Sequence, residues 1–142
     1  MRLALLGHAE WTVLAVMDER GNCEVLDLLM SSGKPGERML ADLTQRMPQH
    51  GPPRNTEASK ALRDRILELR EPVSKGGTLR VLYFYDAGKV IVCANAVLKK
   101  SRKTPDELID AAVEVRKRYW VASRQRKIRI ETLPEADGVG NG

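Results

Sequence analysis

The sequence has few of the residues that most often carry metal, redox or imidazole chemistry. Among its 142 residues there are two cysteines, Cys23 and Cys93, and two histidines, His8 and His50. No C-x-x-C pair and no Cys/His cluster is present, which argues against a structural zinc site and against a disulfide framework. We therefore expect reduced cysteines, surface histidines, no metal and no other cofactor.

Long apolar runs are also missing. No stretch approaches the roughly 18 apolar residues that a membrane-spanning helix needs. The apolar run Leu3–Leu6 is too short for the core of a signal peptide, and no small-residue cleavage site follows it. We expect a cytoplasmic protein without a membrane partner.

The charge of the chain is its clearest global property. The formal net charge is +5 and the pI is about 9.4, while 42% of the residues are hydrophobic and 30% are charged. This balance is typical of a globular domain with a real core. The positive charge favours an anionic partner, either nucleic acid or an acidic protein, although a solvated basic surface is the simpler alternative. We expect one domain over residues 1–130 and a disordered tail over residues 131–142.

The strongest local pattern is a β-hairpin. The segments Thr78–Asp86 and Lys89–Lys100 are rich in β-branched and aromatic residues, and Asp86-Ala87-Gly88 between them has turn chemistry. Alternation places Leu79, Val81, Tyr83 and Tyr85 on one face of the first strand and Arg80, Leu82 and Phe84 on the other. The result is an apolar platform whose cations lie at its ends: Arg70, Arg80, Lys99 and Lys100.

Other patterns complete an α+β fold in the order β-α-α-β-β-β-α. Strands are predicted over Glu10–Asp18 and Arg65–Pro72, and a helical hairpin over Glu24–Ser32 and Pro35–Met47. A C-terminal helix is predicted over Thr104–Trp120, with Thr104 as N-cap and Glu107 completing a capping box. We expect the helices on one face of the sheet and an open, basic-rimmed second face. The remaining predictions are an irregular Pro48–Thr56, a helical turn within Ser59–Asp64, and either frayed helix or an edge strand within Val121–Ile130.

Four short motifs in this order resemble a known family. They are Ile66–Arg70 (ILELR), Gly76-Gly77, Leu79–Phe84 (LRVLYF) and Leu98–Pro105 (LKKSRKTP). Together they resemble the HigB-like, phage-derived branch of the RelE/ParE toxin superfamily. The resemblance implies a RelE-like fold, cleavage of messenger RNA in the ribosomal A site, and a hetero-oligomer with a cognate helix-turn-helix antitoxin.

One stretch departs from that family. Relatives often read L-L-H-G-F before the paired lysines, whereas this chain reads Cys93-Ala94-Asn95-Ala96-Val97. The histidine position is therefore Asn95 and the aromatic position is Val97. The departure leaves open whether the protein cleaves RNA by a different set of groups or has lost the activity.

Candidate site residues follow from the chemistry together with the resemblance. Metal-free RNA cleavage needs deprotonation of the 2′-hydroxyl, stabilisation of the phosphorane and protonation of the leaving 5′-oxygen. We expect Arg70, Arg80 and Lys99 to be catalytic, the two arginines as a bidentate phosphate clamp. The expected RNA-binding residues are Lys100, Arg102, Lys103, Tyr83 and Tyr85.

Simpler interpretations accompany each candidate. Arg70 pairs with Glu68 or Glu71, the lysine run is a solvated surface, and the tyrosines pack in the core. At the level of function, a ribosome-dependent mRNA endoribonuclease is the first hypothesis. The alternatives are a gyrase-poisoning relative and an inactive module that binds nucleic acid or antitoxin. In each case an acidic or amphipathic antitoxin segment is expected over the open sheet face or the helical hairpin.

Overall fold

The predicted hairpin forms the middle of a seven-stranded sheet in a computed structural model, which describes residues 1–54 and 59–133. The strands are β1 (Arg2–His8), β2 (Thr12–Val16), β3 (Ser59–Ala61), β4 (Leu67–Pro72), β5 (Thr78–Asp86), β6 (Val90–Lys99) and β7 (Arg129–Thr132). Their order in the sheet is β3-β4-β5-β6-β2-β1-β7. The β2–β6 and β1–β7 pairs are parallel, and the other pairs are antiparallel. The predicted α+β class is confirmed, as are the three consecutive strands β4, β5 and β6, which pair antiparallel.

The predicted helical hairpin packs on one face of the sheet. It consists of α1 (Glu24–Met30) and α2 (Gly33–Ala41), which continues through a π-helical turn (Asp42–Arg46) into α3 (Met47–His50). The two helices approach closely at Gly36, where an added Cβ would lie 1.9 Å from the carbonyl oxygen of Leu29. Apolar side chains from both layers form the core on this side, among them Val25, Leu29, Met39, Leu43, Val13, Val81, Tyr83 and Cys93.

The second face of the sheet is also covered, so the prediction of an open face is wrong. Helix α4 (Asp106–Arg124) lies across it and contributes Ile109, Ala112 and Tyr119 to a second core. The physical reason is that the strands present Leu14, Leu82, Phe84 and Val92 on this side, and such residues need a covering layer. At one end of this face, beyond the start of α4, lie Glu68, Arg70, Arg80 and Lys99.

Several local predictions need correction. Thr104 is not the N-cap, because α4 begins at Asp106 after Pro105 and the Thr104 side chain bonds elsewhere. Pro48 lies in the first turn of α3, where its missing N–H is tolerated. Residues 59–61 form β3 instead of a helical turn.

For residues 121–130 the sequence allowed either the end of a helix or an edge strand. The segment contains both, because α4 continues to Arg124 and β7 begins at Arg129. Glu131 and Thr132 belong to β7 and not to a tail. Residues 55–58 and 134–142, on which parts of the loop and tail predictions fall, lie outside the described residues. Within the described part, no helix has both the length and the apolar character to cross a membrane.

Candidate functional site

The charged end of the α4 face is built by three neighbouring strands. Arg70 of β4 lies opposite Arg80 of β5, which lies opposite Val97 of β6. Directly opposed residues share a face, so the three side chains form a row, and Lys99 follows on the same face two residues beyond Val97. At a strand spacing of about 4.8 Å, the Cα atoms of Arg70 and Val97 are about 10 Å apart. The antiparallel meander thus brings the predicted cations to one end of the sheet.

A buried ionic network lies beneath this end. Glu68 is fully buried and Arg80 is 2% exposed, and Arg80 Nη1 lies 3.0 and 3.1 Å from the two carboxylate oxygens of Glu68. The hydroxyl of the buried Thr104 donates to Glu68 Oε2 and accepts from Arg80 Nη1 at 3.1 Å. Three of the four sequence motifs therefore meet in one cluster, which hereafter is called the Glu68–Arg80–Thr104 network.

The second terminal nitrogen of Arg80 holds the chain that follows β6. Nη2 donates to the carbonyl oxygens of Ser101 at 2.9 Å and of Arg102 at 3.1 Å. With both Nη atoms used in this way, the guanidinium does not face solvent as a phosphate clamp would. The expected arginine pair is thus replaced by one buried arginine and one partly exposed arginine. Whether Arg80 is needed for cleavage stays a prediction, and the geometry favours a supporting role.

The segment Lys99–Lys103, the basic loop, is what Arg80 holds in place. Lys99, Lys100, Arg102 and Lys103 are exposed. Among the described residues, none of these four side chains has a carboxylate within 4.0 Å. Four unneutralised cations on a fixed loop are well suited to bind the phosphates of a nucleic acid.

Arg70 connects the network to the surface. Its Nε lies 3.5 Å from Glu68 Oε1, and 26% of its side chain is exposed. The simpler interpretation, in which Arg70 pairs with Glu68, is therefore observed. That pairing is shared, because the same carboxylate also accepts from Arg80 and Thr104. Arg70 stands at the border between the buried network and the exposed basic loop.

The two tyrosines proposed to bind RNA lie elsewhere. Tyr83 is fully buried against the helical hairpin, and burial raises the pKa of its phenol to about 12. An RNA contact by Tyr83 is therefore wrong for this structure. Tyr85 is 53% exposed, but it lies on the face opposite Arg80 and about 17 Å further along β5. It does not share a site with the basic loop.

Asn95, which stands at the histidine position of the relatives, has a structural contact. Its Nδ2 donates to the carbonyl oxygen of Leu108 in α4 at 3.0 Å, and the residue is 8% exposed. It follows a β-bulge, where the pairing shifts between Leu82 and Tyr83. The side chain links β6 to α4 and lies in the lining of the groove that starts at Lys99.

A groove of about 1710 Å³ runs from Lys99 along the second half of β6. It forms because β2 pairs with β6 only as far as Cys93, so residues 94–99 have β5 as their sole strand neighbour among the described residues. Glu24 and Asp27 of α1 line one wall, and Lys117 and Arg118 of α4 line the other. Sequence reasoning missed this groove, since it depends on a parallel pairing between distant segments. In the described part of the chain, no group of three His, Cys, Asp or Glu side chains lies close enough to hold a metal ion.

Comparison with known proteins identifies the family. The family model described as phage-derived protein Gp49-like matches residues 31–117, which is more than half of the chain. No curated protein matches the chain significantly. The match includes all four motifs and the Glu68–Arg80–Thr104 network, while β1, β2 and β7 lie outside it. The chain therefore belongs to the Gp49-like phage-derived family, which is part of the RelE/HigB-type toxin superfamily.

Proposed function

We propose that this protein is the toxin of a type II toxin–antitoxin pair and that it cleaves messenger RNA on the ribosome. The observation that carries the proposal is the basic loop: four exposed cations that have no carboxylate partner among residues 1–54 and 59–133, fixed beside Arg70 by a buried network. A gyrase poison has no need of such a phosphate-binding surface. Membership of the Gp49-like family supports the same assignment.

The proposed reaction is an internal phosphoryl transfer. The 2′-hydroxyl gives its proton to solvent water, and the 2′-oxygen attacks the adjacent phosphorus. The bond from phosphorus to the 5′-oxygen breaks, and that oxygen takes a proton from a lysine ammonium, which solvent then reprotonates. The products are a 2′,3′-cyclic phosphate and a 5′-hydroxyl. In this proposal Arg70 and Lys99 stabilise the charge on the phosphorane, and a lysine of the basic loop protonates the leaving oxygen.

Arg80 has a positioning role in this proposal. Its two bonds to the Ser101 and Arg102 carbonyls fix the backbone from which the loop cations project. Phosphate-binding groups are effective only when their positions are held within fractions of an ångström. Side chains on an unsupported loop are not held that closely. The network thus supplies rigidity, while the exposed cations supply the contact with RNA.

The test is induction of the protein in bacteria without an antitoxin, with primer extension on an abundant transcript. We expect growth arrest and new cleavage sites that require translation of that transcript. The double variant Lys99→Ala/Lys100→Ala should lose most cleavage, whereas Lys34→Ala, a remote exposed lysine on α2, should retain it. Arg80→Ala is a poor first variant, because it leaves a buried carboxylate unpaired.

Three results would contradict the proposal. Arrest without RNA cleavage indicates another target, and a supercoiling assay with purified gyrase then tests the gyrase alternative. Cleavage that is unchanged in Lys99→Ala/Lys100→Ala places the chemistry away from the basic loop. Absence of both arrest and cleavage indicates a binding protein, consistent with the departure at Asn95.

The groove beside β6 is the surface on which we propose that the antitoxin binds. An extended segment can pair with the free half of β6, with basic side chains toward α1 and acidic side chains toward α4. Such a segment would also cover Lys99 and so neutralise the toxin. Hydrogen exchange of β6 in the purified complex should be slower than in the free protein, and unchanged exchange would contradict this placement.

A further inference from the structure

A second cavity lies at the opposite end of β5, away from the basic loop. Its volume is about 670 Å³, and it is bordered by the β5–β6 turn, the start of β4 and the middle of α4. Trp11, Tyr85 and Trp120 line it. The rings of Trp11 and Tyr85 meet edge to face with centroids 6.5 Å apart. Both tryptophans of the chain therefore border this cavity, Trp11 beside the core under the helical hairpin and Trp120 beside the core under α4.

The charged groups around this cavity are mostly cations. Arg65, Lys89 and Arg116 line it, and the guanidinium of Arg116 lies 5.7 Å from the ring centroid of Trp120. The Nε of Arg116 is buried and has no hydrogen-bond partner among the described residues. Lys89 pairs with Glu10 at 2.6 Å, which leaves Arg65 and Arg116 as the cations available to a ligand.

Asp86 is the one acidic residue among those lining the cavity, and its oxygens are occupied. Oδ1 accepts from the backbone N–H of Ala87 at 2.7 Å, and Oδ2 accepts from the hydroxyl of Tyr119 at 2.8 Å. The Asp86 carboxylate therefore accepts hydrogen bonds from the β5–β6 turn and from α4. With Lys89 paired to Glu10, the lining carries the cations Arg65 and Arg116 and the single carboxylate of Asp86, and its other walls are largely apolar and aromatic.

We propose that this cavity binds a nucleotide, with the base against the tryptophan rings and the phosphate at Arg65 and Arg116. Aromatic faces bind nucleobases of any sequence by stacking, and arginine at the rim binds the phosphate. The volume lies within the range of small-molecule sites. A purely apolar ligand would not use the cations, and a cationic ligand would be repelled by them.

This site is distinct from the proposed cleavage site. Tyr85 lies five residues along β5 from Arg80, a distance of about 17 Å, and both Trp11 and Trp120 fall outside residues 31–117 of the family match. The nucleotide can be a free molecule or one unit of a single-stranded RNA, because both present a base and a phosphate. Its binding does not depend on cleavage, so failure of the proposed function would leave this proposal intact.

Tryptophan fluorescence of the full chain tests the proposal directly, since both reporters line the cavity. The probes are 5′-AMP, adenosine, which lacks the phosphate, and a ten-nucleotide oligouridine. We expect saturable quenching by 5′-AMP or by the oligonucleotide, and binding of adenosine that is at least about tenfold weaker than that of 5′-AMP. Saturable quenching by the oligonucleotide but not by 5′-AMP identifies a subsite for RNA. Saturable quenching by the oligonucleotide and by 5′-AMP identifies a general nucleotide site.

Matched variants separate the cavity from general charge effects. Arg116→Gln should weaken nucleotide binding about tenfold, whereas Arg124→Gln, which removes an exposed charge of the same helix outside this cavity, should not. Tyr85→Ser, at an exposed position, gives a second test that does not depend on a buried side chain. Absence of saturable quenching by 5′-AMP and by the oligonucleotide, saturation by adenosine as tight as that by 5′-AMP, or equal effects of Arg116→Gln and Arg124→Gln would overturn the proposal.

Discussion

Arg80 and Glu68 are buried charges, and their removal should affect folding before it affects chemistry. Taking away one partner of a buried ion pair leaves the other desolvated and unpaired, which costs about 3–5 kcal/mol. We therefore predict that Arg80→Ala lowers the free energy of unfolding by about that amount, as measured by urea denaturation. The double variant Glu68→Gln/Arg80→Met should lose less than the sum of the two single variants, because no charge remains buried. Full additivity, or a loss below about 1 kcal/mol for Arg80→Ala, would contradict the burial of this network.

The buried Tyr83 phenol makes stability depend on alkaline pH. Burial raises the pKa of Tyr83 to about 12, above the ordinary tyrosine pKa of about 10. The folded state therefore keeps a proton that the unfolded state loses, so stability is fully present below about pH 10 and falls as the pH rises toward 12. The contribution of this one group is about 3 kcal/mol. Urea denaturation of Tyr83→Phe should show a shallower loss between pH 10 and 12 than the wild type, and identical slopes would rule this out.

The sequence predicted which face each β5 residue occupies, but not which residues are buried. Alternation alone assigned Arg80 and Leu82 to one face and Tyr83 to the other, as the structure has them. Burial depends on what covers each face, and the position of α4 is set by contacts between distant segments. Glu68 could be recognised as a partner only for Arg70 on its own strand, because the approach of Arg80 and Thr104 requires the folded chain.

At the scale of elements, the contact between α1 and α2 depends on the absence of a side chain at Gly36. Helix propensity alone predicts that Gly36→Ala stabilises the protein by up to about 1 kcal/mol. The clash of the new Cβ with the Leu29 carbonyl predicts instead a net loss of about 1–3 kcal/mol. Thermal or urea denaturation decides the sign, with Lys34→Ala in the same helix as a control that should be nearly neutral. A stabilised Gly36→Ala would show that the helices are not in close contact.

Elements defined by local patterns were predicted most closely. The first hairpin strand has the predicted bounds, because nine alternating residues end in a turn that contains Gly88 with a φ of +83°. The parallel pairs β2–β6 and β1–β7 were not predicted, since their register depends on segments far apart in sequence. The groove beside β6 could not be inferred for the same reason. The sequence predicted the basic loop of the candidate site. It did not predict the Glu68–Arg80–Thr104 network that supports the loop, because its three residues meet only in the folded chain.

At the scale of the whole molecule, the two thiols report on global opening. Cys23 and Cys93 are both buried, and burial raises the pKa of each thiol. The reactive thiolate is therefore disfavoured in the folded state. At pH 8 we predict that a thiol reagent such as dithiobis-nitrobenzoate reacts with neither cysteine at the rate of an exposed thiol, while both react promptly in urea. A fast-reacting thiol in the native protein would contradict the packing of the hairpin on the sheet.

The central claim is that the basic loop directs cleavage of translated RNA, and a reconstituted translation reaction tests it most directly. A 5′-labelled messenger RNA is incubated with purified protein, with and without ribosomes, and the cleavage products are resolved at nucleotide resolution. We predict cleavage only with ribosomes, products that end in a 2′,3′-cyclic phosphate, and a loss of at least about tenfold in Lys99→Ala/Lys100→Ala but not in Lys34→Ala. Intact RNA in the complete wild-type reaction, or undiminished cleavage by the double variant, would contradict the account.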